Sequence, residues 1–124
     1  MKQTLLVALG LAFCASAASA ADNYACYKAK DLKVPAKFAG SVADLSDEII
    51  AVNDNAEIKK PFLYCAPSSL NGSAIADPAT KLTCYKIRGV KGINTTKTIT
   101  DAFGTTQLGV KAKVYTYCVP ATAS

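Results

Sequence analysis

The chain of 124 residues contains no histidine. That removes the Ser-His-Asp arrangement and every histidine-based proton transfer, and it takes from zinc its commonest nitrogen ligand. No Cys-x-x-Cys pair occurs, so a dithiol oxidoreductase of that type is not expected. A Gly-x-Ser-x-Gly elbow, a phosphate-binding loop and a dinucleotide fingerprint are also missing. Basic residues outnumber acidic ones, 14 to 9, but form no blocks. Lys28, Lys30, Lys33, Lys37, Lys59, Lys60, Lys81, Lys86, Arg88 and Lys91 are spread along the chain. That scatter describes a solvated surface with at most weak attraction to an anionic envelope, and no nucleic-acid arm.

The one apolar run stands at the start. Lys2 precedes "LLVALGLAFC", Leu5 to Cys14, and Ala18-Ser19-Ala20 supplies small residues at a cleavage position. This is the pattern of a secretory signal peptide over residues 1–20. The run falls short of the about 20 apolar residues that span a bilayer, and its brevity and alanine-rich end look bacterial. A lipoprotein signal acylated at Cys14 is the rival, but Phe13 stands where that signal takes a small residue. Cleavage after Ala20 leaves 104 residues, 13 basic and 9 acidic, with no transmembrane segment. Such a length suits one domain, and the expected location is periplasmic or secreted.

Cleavage also removes Cys14 and leaves Cys26, Cys65, Cys84 and Cys118. An even count in a small exported chain reads as two disulfides. Zinc fits poorly, because the nearest cysteines, Cys65 and Cys84, are far outside the spacing of paired ligands. Two segments frame the cysteines alike. Cys26-Tyr27-Lys28 leads to Tyr64-Cys65-Ala66-Pro67, and Cys84-Tyr85-Lys86 leads to Tyr117-Cys118-Val119-Pro120. "SVADL" at Ser41–Leu45 echoes "TITDAF" at Thr98–Phe103. We read an internal duplication: residues 21–67 and 81–124 are β repeats joined by a connector at 68–80, together one domain. A duplicated unit carrying its own bridge gives Cys26–Cys65 and Cys84–Cys118; the other pairing considered is Cys26–Cys118 with Cys65–Cys84. Loops of these lengths constrain the unfolded chain by about 4 kcal/mol each.

The local patterns have period two. "LTCYKIR" and "KVYTYCV" are rich in β-branched and aromatic residues, and "KTIT" and "TTQLGVK" bracket a turn at Asp101–Gly104. "AEIKKPFLYC" reads as a strand whose Pro61 belongs at a bulge or an edge. "DLSDEIIAV" reads as a strand or a helical turn feeding a strand. Alternation sets Tyr27, Tyr85, Tyr115, Tyr117, Ile87 and Val119 opposite the cysteines. The tyrosine side, with Ile99, Val110 and Phe62, is the expected core, and the bridges are expected toward a rim.

Five residues are candidate surface or ligand contacts: Tyr24, Tyr64, Asp47, Glu48 and Asp54. The tyrosines could stack on sugars, although tyrosines beside disulfides usually belong to cores. The acids, with Asp44 and Glu57, have the residue types for a carboxylate pair or a calcium loop but not the spacing. No catalytic, cofactor or metal residue is assigned. Asn71-Gly72-Ser73 and Asn94-Thr95-Thr96 match the glycosylation sequon, which matters only in a eukaryotic secretory pathway.

The pieces "LTCYKIR", "TDAFG", "EIKKPFLYCAP" and "YTYCVP" resemble the tandem motifs of a family of secreted bacterial proteins classed as a domain of unknown function. The resemblance covers Tyr24 to Pro120. The first repeat departs from it by lacking the Phe-Gly pair, and the closing strand of the second lacks the Lys-Pro step. It implies export, duplication and paired cysteines, and brings no activity or cofactor.

The fold expected is all-β, a duplicated β-sandwich or small barrel with pseudo-two-fold symmetry, stapled by two disulfides. The function expected is that of an exported non-catalytic module that binds or supports structure at the envelope or outside the cell. Its expected partner is an envelope polysaccharide or another extracellular protein. The alternative is a small secreted hydrolase or a hydrolase inhibitor.

Overall fold

The structure is a computed structural model and describes residues 21–50 and 53–124. Residues 1–20, the expected signal peptide, lie outside the described residues. Seven strands follow in order: β1 Asn23–Lys28, β2 Ser41–Leu45, β3 Asn53–Ser68, β4 Lys81–Arg88, β5 Thr95–Asp101, β6 Gly104–Val110 and β7 Thr116–Ala121. No helix occurs among the described residues, and all pairing within the sheets is antiparallel. The all-β class with two disulfides is therefore the observed one.

The main sheet runs β1-β3-β4-β7, with β2 also on β3. The long β3 takes both β1 and β2: its C-terminal half pairs with β1 and its N-terminal half with β2. The sheet stays open and does not close into a barrel, while β5 and β6 form a separate two-stranded sheet.

The two Cys-Tyr-Lys strands pair in one register. Cys26 faces Cys65, Tyr27 faces Tyr64 and Tyr24 faces Pro67. Cys84 faces Cys118, Tyr85 faces Tyr117 and Leu82 faces Pro120. The shared spelling is thus a register device. Directly opposed cysteines on neighbouring antiparallel strands bring their Cα atoms to 4.0 Å in both bridges, Cys26–Cys65 and Cys84–Cys118. In strand order each opening strand precedes its closing strand, so the bridged pairs follow one another by a step across the sheet. A two-fold axis would have set like strands side by side.

The expected core needs correction. Leu45, Ile50, Ala56 and Val90 are buried together, with Ala43, Ile87, Val114 and Tyr117 packed against them. Ile87 and Tyr117 do serve the core. Tyr27 and Tyr115 do not; they are 58% and 83% exposed, Tyr27 on β1 at the edge of the main sheet and Tyr115 in the segment before β7 begins. Ile99 and Val110 belong to the separate hairpin. Nor do the bridges lie wholly at a rim. Cys65 and Cys84 are the largest fully buried side chains, at 0% and 1% exposure, because β3 and β4 are the central pair. Their partners Cys26 and Cys118, on flanking strands, are exposed.

Pro61 sits between two register shifts in the β3–β4 ladder, the bulge its missing N–H requires. The turn at Asp101–Gly104 forms as expected: Asp101 opposes Gly104, Gly104 takes φ +121°, and the Asp101 carboxylate accepts the Phe103 N–H at 2.9 Å. Within "DLSDEIIAV", residues 44–50 form the end of β2 and an irregular turn, with Asp47 N–H donating to the Ile50 carbonyl at 2.7 Å; residues 51 and 52 lie outside the described residues.

Candidate functional site

The β3 bulge allows Lys59 and Lys60 to follow one another beside the end of β4. There Glu57 pairs with Arg88, and Ile58 with Ile87. Gly89, at φ +84°, ends β4 and turns the chain to Val90. Lys113 and Val114 arrive just before β7, tied back by the Lys91–Lys113 bridge. The loop after β1 supplies the remaining wall. Asp31 Oδ1 accepts the Lys33 N–H and Oδ2 the Phe38 N–H, both at 2.8 Å, and the Phe38 ring packs on Tyr85 with centroids 5.2 Å apart.

These elements enclose a cleft of about 710 Å³, within the size range of small-ligand sites. Lys37, Lys59, Lys60, Lys86, Arg88 and Lys113 line it, with Glu57 the only acid there among the described residues. Glu57 is engaged by Lys59 at 3.6 Å in a half-exposed ion pair, of the kind worth at most about 1 kcal/mol. Lys86 Nζ lies 4.8 Å from the centroid of the Phe62 ring, a cation–π contact that holds one ammonium in place. Ile58, Ile87, Val90 and Val114 give the cleft an aliphatic floor. A neighbouring hollow of about 640 Å³ shares Gly89, Val90 and Lys113 and adds Lys91 and Lys111. Like charges gathered at a concave surface focus a positive field, which attracts anions and raises their local concentration.

The five candidates from the sequence do not gather in this cleft. Tyr24 and Tyr64 are half-buried on β1 and β3. Asp47 is exposed and bound into its own turn: Oδ1 accepts the N–H groups of Ile50 at 2.6 Å and Ile49 at 2.7 Å. The Ile50 bond, then the Ile49 bond, hold its carboxyl below the ordinary value of 3.8. Glu48 is paired with Lys97 on β5 at 2.7 Å. Asp54 belongs to β3, and its side chain lies outside the described residues. Among the described residues, no three His, Cys, Asp or Glu side chains come together in a metal-holding group.

The connector is held as well. Asp22 Oδ1 and Oδ2 accept the N–H groups of Ala76 at 2.7 Å and Asp77 at 2.9 Å. Asp77 in turn accepts the Thr80 hydroxyl at 2.7 Å. That bond, joined by the Thr80 and Ala79 N–H groups and the charge of Lys81, lowers the Asp77 carboxyl despite partial desolvation. Residues 71–79 are exposed throughout.

Sequence reasoning missed the cleft because it counted lysines along the chain. The usable signal was the alternation Lys86-Ile87-Arg88 opposite the doubled Lys59-Lys60. Compared with protein families, curated proteins and solved structures, the chain matches none. Two disulfides are the mark of an oxidising, extracellular or periplasmic environment. Among the described residues no helix is long and apolar enough to cross a membrane.

Proposed function

We propose that the protein is an exported, non-catalytic β module that holds an anionic polysaccharide of the bacterial envelope or its surroundings in the basic cleft. One observation carries this reading: among the described residues, six cations and one carboxylate line one concavity over an aliphatic floor. The cations face the acid groups of the polymer, and Ile58, Ile87 and Val114 meet the C–H faces of its rings. The expected signal peptide and the resemblance to secreted bacterial proteins fit the same role. Polygalacturonate, an acidic polymer, and dextran, a neutral one, test it by retardation of the mature protein on each immobilised polymer. Salt-sensitive retention on polygalacturonate alone supports the reading. Equal retention on both, or on neither, overturns it.

A second reading, a hydrolase inhibitor, is favoured by the exposed connector fastened at Asp22 and Asp77, since a rigid exposed loop enters a cleft with little loss of conformational entropy. Its test is inhibition of the hydrolases in the medium of the same cells by the purified mature protein, lost on cutting the connector.

A further inference from the structure

Four sulfurs cross the main sheet in the order of its strands β1, β3, β4 and β7. The bridges occupy the outer pairs, Cys26–Cys65 and Cys84–Cys118. Across the central pair, Cys65 Sγ and Cys84 Sγ lie 3.8 Å apart. Both sulfurs are already bonded, so neither carries a hydrogen, and the approach is a contact between two disulfides. Their surroundings differ sharply along the line. The inner cysteines are buried, at 0% and 1% exposure, and the outer ones, Cys26 and Cys118, are exposed.

We propose that this line of sulfurs is an exchange site for small thiols, in which attack at one outer cysteine releases a thiol at the other. Disulfide exchange proceeds by thiolate attack on a disulfide sulfur. The external thiolate bonds to Sγ of Cys26, an exposed residue; the Cys26–Cys65 bond breaks, and its electron pair leaves on Cys65 Sγ. Burial raises the energy of that thiolate, and the other bridge is in contact with it. Cys65 Sγ then bonds to Cys84 Sγ, the Cys84–Cys118 bond breaks, and the electron pair leaves on Cys118 Sγ. There the exposed thiolate is hydrated and takes a proton from water. Two disulfides and one thiol enter and two disulfides and one thiol leave, so no oxidant or reductant is needed.

The negative charge moves from a buried to an exposed atom, which favours the second step. Closing the contact to the usual S–S length of about 2.0 Å needs a movement of less than about 2 Å. In register Cys65 opposes Leu82 and Cys84 opposes Leu63, so the new bridge spans diagonal positions. Such Cα atoms lie about 7–8 Å apart in a regular sheet, beyond the about 7 Å that a disulfide spans without backbone movement. The β3–β4 ladder must therefore shift locally, and its register shift between Pro61 and Leu63 lies beside the Leu63–Cys84 pair. The same chemistry runs from Cys118 toward Cys26.

Oxidised protein and glutathione in native buffer give the test, with acid quenching, iodoacetamide labelling and non-reducing peptide mass mapping. The expected product has glutathione on Cys26, a Cys65–Cys84 crosslink and a labelled Cys118, or the mirror product with glutathione on Cys118 and a labelled Cys26. An adduct that leaves Cys65 or Cys84 labelled, with no Cys65–Cys84 crosslink, overturns the proposal, as does absence of reaction. In strong denaturant all three pairings form; appearance of Cys26–Cys118 in native buffer shows unfolding and scrambling and also overturns it. The readout is independent of any ligand in the cleft.

Discussion

Lys86 Nζ stands 4.8 Å from the centre of the Phe62 ring, at the junction of the β3 bulge and the basic cleft. The bulge around Pro61 inserts residues into β3 without partners on β4, and Phe62 is among them. Its ring gives the Lys86 ammonium a seat beside the other cleft cations. Phe62→Leu keeps apolar volume and removes the ring quadrupole. We expect the variant to fold and to bind polygalacturonate about 2- to 5-fold more weakly, the equivalent of about 0.5–1 kcal/mol. Affinity measured by titration calorimetry checks this; an unchanged affinity assigns the ring no part in binding.

Gly92 joins the base of the hairpin to the turn after β2. A Cβ placed there would lie 2.7 Å from the Ile49 carbonyl oxygen and 2.9 Å from its side chain. Gly92 also donates its N–H to the Ala112 carbonyl at 2.8 Å, so the backbone is not free to retreat. Gly92→Ala is expected to destabilise by about 1–3 kcal/mol, the usual cost of overpacking. A lower urea midpoint with an unchanged slope is the confirming result.

Acid should loosen three loops together. Asp31 is lowered by the Phe38 and Lys33 N–H groups and by the nearby lysines, Asp47 by the Ile50 and Ile49 N–H groups, and Asp77 chiefly by the Thr80 hydroxyl. Each carboxyl binds its proton more weakly folded than unfolded. Its contribution is complete above the ordinary value of 3.8 and is lost as pH falls through the lower folded values. Urea midpoints should therefore hold steady from neutrality to about pH 5 and fall below about pH 4. Asp31→Asn, Asp47→Asn and Asp77→Asn together should flatten that fall.

Asp22 fixes the connector from a distance of more than fifty residues in sequence. Asp22→Ala removes both acceptors and should cost about 1–3 kcal/mol locally. Cleavage of 71–79 by a nonspecific protease should accelerate about 5- to 100-fold if opening limits the rate. An unchanged rate would show that the Asp22 contacts do not govern opening, and would remove support for the inhibitor reading.

Much of this architecture was legible in the residues. Cys-Tyr-Lys and Tyr-Cys-x-Pro named the bridges, and alternation in "LTCYKIR" named a strand. Pro61, with no N–H to give, named its bulge. Covering was not legible. Parity placed Tyr27 and Tyr115 on a face, but Tyr27 stands on the edge strand β1 and Tyr115 just before β7 begins, and no local pattern states which strand lies at an edge or where a strand starts. The cleft was hidden for a related reason. Lys59-Lys60 and Lys86-Ile87-Arg88 stand far apart in sequence and meet only through the β3–β4 register. Asp47 and Glu48 looked chemically available because their turn N–H groups and Lys97 were out of view.

The central claim is that the gathered cations, and not the net charge, bind the polymer. Lys59→Gln/Lys60→Gln/Arg88→Gln removes three cleft charges, and Lys28→Gln/Lys30→Gln/Lys81→Gln removes three basic charges that do not line it. Polygalacturonate affinity is measured for wild type and both variants across a salt series, because screening weakens such attraction. The account predicts that the cleft variant loses about 10-fold or more at low salt and has a shallower salt dependence, while the control variant stays within about 2-fold of wild type. Equal losses in the two variants would contradict it.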